Sequence, residues 1–90
     1  MISSRPYHLY IKRACPFCQE AMKLLEEYGL PYTVTMVDKN EELLSEVKGK
    51  YNWKTVPIVL ELSQVHGVRL IGGYTDLKEH LGENVGKDRV

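Results

Sequence analysis

The residues of this chain best suited to chemistry are two cysteines, which stand two residues apart in the run Cys15-Pro16-Phe17-Cys18. Within an alternating pattern of strands and helices, this spacing is typical of a thiol–disulfide redox pair. The flanks show that pattern, because the run Tyr7-His8-Leu9-Tyr10-Ile11 is aromatic and β-branched and apolar residues recur at helical spacing between residues 19 and 28. The pair is therefore predicted to lie where a strand turns into a helix.

This position makes the two thiols unequal. Pro16 suits the first helical position, because its fixed φ favours the helix and its missing N–H is not needed there. Cys15 would then be the exposed N-cap and Cys18 the recessed third residue of the helix. The helix dipole favours a thiolate at Cys15 by only about 0.3 to 2 kcal/mol. We expect Lys12, the first-turn N–H groups and the Cys18 thiol to supply the remaining stabilisation.

Composition narrows the possible functions. The 90 residues are 43% apolar, which suits a single domain over residues 1–90 with one core. Lys plus Arg equals Asp plus Glu at 12 each, so neither nucleic acid nor an anionic membrane is an expected partner. No segment has the apolar length of a signal peptide or a membrane span. We expect a cytoplasmic protein whose cysteines are available for chemistry.

Turn residues and periodicity predict the remaining elements. The first strand should cover residues 7–12, and its following helix should end at Gly29, with Pro31 preventing continuation. Residues 32–37 alternate as a second strand, and Asp38 or Asn40 would cap a second helix that ends near Tyr51. Residues 58–62 and 68–71 are two short strands joined by five residues, which predicts an antiparallel hairpin.

A last helix is predicted from a cap at Thr75 or Asp76 to about Leu81, with residues 82–90 frayed or weakly helical. The order is then β-α-β-α-β-β-α, with the first helix as the crossover between parallel strands. This order predicts an α/β protein with a four-stranded mixed sheet and helices on both faces, which is the thioredoxin-like arrangement.

Three motifs, in this order, resemble those of the glutaredoxin family and more closely its dithiol class. They are Lys12-Arg13-Ala14-Cys15-Pro16-Phe17-Cys18, Trp53-Lys54-Thr55-Val56-Pro57 and Gly72-Gly73-Tyr74-Thr75-Asp76-Leu77. The resemblance implies the glutaredoxin fold and a disulfide oxidoreductase that uses glutathione as co-substrate, with no metal. It also implies a monomer that acts on disulfide-containing or glutathionylated proteins, with ribonucleotide reductase as one family client.

The resemblance assigns roles to the first motif by position. Cys15 would be the nucleophile and Cys18 the resolving cysteine, while Lys12 would help to hold thiolate and glutathione. Phe17 would pack beside the ligand. Many dithiol members carry tyrosine at this position, so a hydrogen bond from its hydroxyl is absent here and a modest effect on affinity is expected.

The other two motifs would hold glutathione. The family pattern implies a cis peptide bond before Pro57, although X-Pro bonds in general favour trans. The backbone of Val56 would then pair with the cysteinyl unit of glutathione, as an added strand does. A glycine-rich helix start suits the γ-glutamyl carboxylate, and Asp76 would meet the ammonium group. The further contacts implied are Lys54, Thr55, Gly73, Tyr74 and Thr75.

Other readings of the cysteine pair stay open. A zinc site needs four ligands, and His8, His66 and His80 are not at paired-ligand spacing. An iron–sulfur cluster ligated by glutathione and shared by two subunits is known among glutaredoxins, although Pro16 stiffens the turn and argues against it. A redoxin of the same fold that is reduced by thioredoxin reductase would carry the same cysteines. A binding module with an incidental pair would tolerate loss of Cys15.

Overall fold

The computed structural model describes residues 7–63 and 67–84, and it confirms the predicted order of strands and helices. The strands are β1 (Tyr7–Ile11), β2 (Tyr32–Met36), β3 (Ile58–Ser63) and β4 (Gly67–Gly72), and the helices are α1 (Pro16–Glu27), α2 (Glu41–Tyr51) and α3 (Tyr74–Asn84). The middle of the predicted hairpin link, with His66, and the end of the predicted tail lie outside the described residues.

The four strands form one mixed sheet in the order β2-β1-β3-β4. β1 pairs in parallel with β2 and antiparallel with β3, and β3 and β4 form the predicted antiparallel pair. α1 is the crossover between the two parallel strands, as predicted. The turn that carries the cysteines therefore leaves the sheet at the carboxyl end of a central strand.

The sheet divides the core into two clusters, which confirms helices on both faces. α2 packs Val47 against Ile58 and Leu60 on one face. α1 and α3 cover the other face with a larger cluster, whose buried members are Tyr7, Leu9, Ile11, Cys18, Ala21, Leu25, Val59, Leu77 and Leu81. The second cysteine is thus part of the core that anchors α1.

The ends of the first two helices agree with their local signals. α1 is followed by Gly29 at φ +70, a left-handed conformation that glycine adopts without steric cost. Asn40, and not Asp38, caps α2, because its side chain accepts the Leu43 N–H at 3.1 Å.

The prediction that Thr75 or Asp76 caps the last helix is wrong. α3 begins earlier, at Tyr74, and Asp76 lies in its first turn. Its carboxylate accepts the Gly73 N–H at 3.0 Å, so a residue inside the helix satisfies the free donor before it. The helix also continues beyond the predicted end to Asn84, and burial of Leu81 against the core supports its last turns.

We expect Leu77→Ala to lower the free energy of unfolding by about 2 to 5 kcal/mol, because a fully buried leucine loses its contacts and leaves a cavity. The control is Val34→Ala, at a side chain that is 41% exposed on the edge strand β2, where the change should stay below about 1 kcal/mol. Urea denaturation of both variants measures the difference. Equal losses would contradict the position of Leu77 in the core.

Candidate active site

The turn between β1 and α1 places the two cysteines as predicted. Cys15 is the N-cap of α1, and Pro16 occupies the start of the helix. The Cys18 N–H donates to the Cys15 sulfur at 3.2 Å, and both thiols are free. A sulfur at a helix N-terminus that accepts a backbone N–H is in the kind of environment in which a thiolate is stabilised.

The second thiol is chemically different. Cys18 is fully buried, and burial is the main reason that its pKa is raised to about 12, followed by its hydrogen bond with Cys15. The negative charge of Asp38 adds to the rise, while a hydrogen bond with the Lys12 backbone opposes it. Cys18 is therefore protonated at neutral pH. Cys15 was predicted to be exposed and is half-buried, but it is the more accessible of the two thiols and therefore the one better placed to attack first.

A cleft of about 340 Å³ lies next to the contact between Cys15 and Val56 and collects residues from all three motifs. Its lining comprises Phe17, Trp53, Thr55, Val56, Pro57, Gly73, Tyr74, Thr75 and Asp76. Most of the predicted glutathione contacts are thus brought together. The two predicted cations, Lys12 and Lys54, are exposed and do not line this cleft.

The second motif reaches the nucleophile through its backbone. The Val56–Pro57 peptide bond is cis, as the family pattern implied. The Cys15 thiol donates to the Val56 carbonyl oxygen at 3.9 Å, a long contact across 41 residues of sequence. The predicted backbone pairing partner is therefore adjacent to the reactive sulfur.

The third motif contributes the start of α3, and its shape depends on Gly72. This residue has φ +127, and a Cβ built on it would lie 2.6 Å from the Asp76 carboxylate. That carboxylate is the group that accepts the Gly73 N–H. A side chain at Gly72 would therefore displace the group that holds the start of the helix.

An aromatic pair borders the cleft. Phe17 is 60% exposed, and its ring stacks on Tyr74 with a centroid distance of 6.1 Å and an interplanar angle of 27°. The contact joins the first motif to the third. The pair also leaves exposed apolar surface near Cys15, which is available for contact with a ligand or a protein substrate.

Sequence reasoning did not select Trp53 as a site residue, although it quoted this residue within a motif. The indole Nε1 is buried and has no hydrogen-bond partner. The same edge of the ring faces the start of α3, since a Cβ built on Gly73 would lie 3.8 Å from the neighbouring ring carbon Cζ2. A tryptophan at the first position of the second motif is the signal in the sequence that this donor belongs to the cleft.

The described part of the chain contains no cluster of three or more His, Cys, Asp or Glu residues that could hold a metal ion. Both ring nitrogens of His8 lie within hydrogen-bonding distance of hydroxyl groups, at 2.6 Å from Thr33 and 2.8 Å from Thr35. His80 pairs with Glu61 at 3.3 Å. Among the same residues, no helix is long and apolar enough to cross a membrane.

Comparisons with known proteins agree on one family. A family model described as Glutaredoxin matches residues 8–61. Glutaredoxin-2 of Schizosaccharomyces pombe is 32% identical over 81 residues, which cover 87% of this chain and 69% of that protein. Glutaredoxin-1 of Gallus gallus is 31% identical over 77 residues, or 79% of this chain and 68% of that protein. The crystal structure of a wheat glutaredoxin superposes with a TM-score of 0.74 at 27% identity, covering 92% of this chain and 74% of that one.

We expect iodoacetamide at pH 8 to label Cys15 and to spare Cys18. Burial raises the pKa of Cys18 to about 12, so almost none of this thiol is ionised at that pH. Alkylation followed by mass spectrometry should show Cys15→Ser reacting at least about 100-fold more slowly than Cys18→Ser. Similar rates for the two variants would contradict the assignment of Cys15 as the attacking thiol.

We expect Gly72→Ala to destabilise the protein by about 1 to 3 kcal/mol, because it combines an unfavourable φ with a clash against Asp76. The matched control is Gly82→Ala in α3, where a Cβ has no neighbour within 4 Å and where alanine should stabilise the helix by about 0.5 to 1 kcal/mol. Thermal unfolding measures both changes. A neutral Gly72→Ala would contradict the close approach of Gly72 and Asp76.

Proposed function

The chain belongs to the glutaredoxin family, whose members are thiol–disulfide oxidoreductases, and we propose that it is the glutathione-dependent kind. Its proposed substrates are protein–glutathione mixed disulfides and protein disulfides. The observation that carries this proposal is the position of Cys15 at the start of α1, beside a cleft into which the second and third motifs converge.

The proposed reaction exchanges one disulfide for another. The Cys15 thiolate attacks the glutathionyl sulfur of a mixed disulfide, the S–S bond breaks, and the substrate cysteine leaves as a thiolate that takes up a proton. Cys15 is then joined to glutathione. The thiolate of a second glutathione attacks the glutathionyl sulfur of that disulfide, which releases glutathione disulfide and returns the Cys15 thiolate.

Three features of the cleft support glutathione as the ligand. The N-terminus of α3 presents backbone N–H groups, which favour a carboxylate. The Val56 backbone lies next to the reactive sulfur, where it can pair with a peptide ligand. Trp53 has a buried N–H with no partner, and a ligand oxygen that accepted this hydrogen bond would remove its desolvation penalty.

The state of Cys18 supports a one-cysteine route for glutathionylated substrates. A buried thiol whose pKa is raised to about 12 attacks slowly. Free glutathione would therefore reduce the mixed disulfide between Cys15 and glutathione before Cys18 attacks it. For protein disulfides, we propose that Cys18 resolves the mixed disulfide between enzyme and substrate. The proposed setting is the cytoplasm, where glutathione is the reductant, with ribonucleotide reductase as one candidate client.

Reduction of a glutathionylated peptide, coupled to glutathione reductase and NADPH, tests the proposal. We expect activity in the wild type, its loss in Cys15→Ser, and at least about one-third of it in Cys18→Ser, because the second thiol is not needed in the one-cysteine route.

Replacing glutathione and its reductase by thioredoxin reductase is the control for the alternative reductant. An inactive wild type in the glutathione assay, together with activity in the thioredoxin reductase assay, would reject glutathione dependence. An equal loss of glutathione-dependent activity in Cys15→Ser and Cys18→Ser would reject the one-cysteine route.

A further inference from the structure

Asp38 contacts the segment that leads into the nucleophile, here called the catalytic turn and defined as residues 12–15. The Arg13 backbone N–H donates to both carboxylate oxygens of Asp38, at 2.8 Å to Oδ1 and 2.9 Å to Oδ2. Asp38 is not the cap of α2, since Asn40 has that role. Its carboxylate is therefore engaged with the catalytic turn and not with the helix that follows it.

The sheet fixes where this carboxylate lies. β1 and β2 run in parallel with Ile11 opposite Met36, and the next residue, Val37, donates its N–H to the Ile11 carbonyl at 2.9 Å. The two chains thus leave the sheet side by side. Asp38 follows this last bond directly and begins the turn after β2, so the catalytic turn is held next to the paired ends of the two strands.

The charge of Asp38 also acts near the thiols. Asp38 lines a shallow depression of about 340 Å³ whose other charged groups are Lys12, which precedes the nucleophile, and Glu41 and Lys48 of α2. Its carboxylate forms no ion pair within 4.0 Å among residues 7–63 and 67–84. The negative charge contributes to the raised pKa of Cys18, after burial and the hydrogen bond with Cys15. It is therefore close enough to act on the start of α1.

We propose that Asp38 is a positioning residue for the reaction: its carboxylate fixes the catalytic turn through the Arg13 N–H, so that the turn holds Cys15 at the start of α1. A turn fixed in this way keeps the N–H groups of the first helical turn around the Cys15 sulfur, where they favour a negative charge. This inference refines the proposed function, but its test needs no glutathione.

The test is the rate of Cys15 alkylation by iodoacetamide from pH 5 to 9, in a Cys18→Ser background. Asp38→Ala removes the acceptor of the Arg13 N–H, and we expect its rate at pH 6 to fall at least about threefold, because the N–H groups around the sulfur are no longer held in place. Asp38→Asn keeps an oxygen that can accept the Arg13 N–H, so its rate should stay within about 1.5-fold of that of the parent.

Glu41→Gln is the matched control, because it removes a charge of the same sign from the same depression and has no hydrogen bond to the turn. Its rate should change by less than about 1.5-fold, since an exposed charge is largely screened. Thermal unfolding shows whether Asp38→Ala remains folded, and Asp38→Asn separates loss of the hydrogen bond from loss of the charge.

Three results would overturn parts of the proposal. If the Asp38→Ala profile coincided with that of the parent, the hydrogen bond to Arg13 would have no positioning role. If Asp38→Asn slowed alkylation as much as Asp38→Ala, the effect would belong to the charge and not to the hydrogen bond. If Glu41→Gln slowed it equally, the effect would belong to net charge and not to Asp38. Because alkylation uses only the protein thiol, these results stand whether or not glutathione is the reductant.

Discussion

The hydrogen bond from the Cys18 N–H to the Cys15 sulfur, at 3.2 Å, is the contact on which the geometry of the candidate active site depends. It replaces the usual oxygen cap of a helix with a sulfur, so that the candidate nucleophile is itself the cap of α1. It also brings together a half-buried cysteine and a fully buried one. Since Cys18 belongs to the buried face that anchors α1 to the sheet, the inequality of the two thiols is a consequence of core packing.

The cleft depends on contacts between distant parts of the sequence. Its walls come from the start of α1, the segment before β3 and the start of α3, and the sheet order β2-β1-β3-β4 puts β1 beside β3 so that these segments meet. The close approach of Gly72 and Asp76 shapes one wall, and the stacked rings of Phe17 and Tyr74 join two of them. The contacts that shape the cleft therefore belong to the packing of the whole fold, and a substitution in the core is expected to change the shape of the cleft.

Most of the fold was predictable because its signals are local. Three such signals are the alternation of apolar residues, the proline at the start of α1 and Gly29 after its end. Each acts through neighbouring residues, and together these signals predicted the element order. The start of α3 was not predictable in the same way. Gly73, Thr75 and Asp76 all suit a helix start, and the choice depended on the side chain of Asp76 reaching back to the Gly73 N–H. The cis bond before Pro57 was implied by family resemblance, since residue chemistry alone favours trans.

The sequence by itself determined the reactive pair, its place between a strand and a helix, and the order of the elements, because each of these depends on residues within a few positions of one another. Only the tertiary structure decided where Trp53 and Asp38 lie relative to the site. The indole ring of Trp53 lies next to a glycine 20 residues away, and Asp38 accepts a hydrogen bond from an N–H that lies 25 residues away. Such contacts depend on strand pairing and packing, which carry no signature in the spacing of the residues involved.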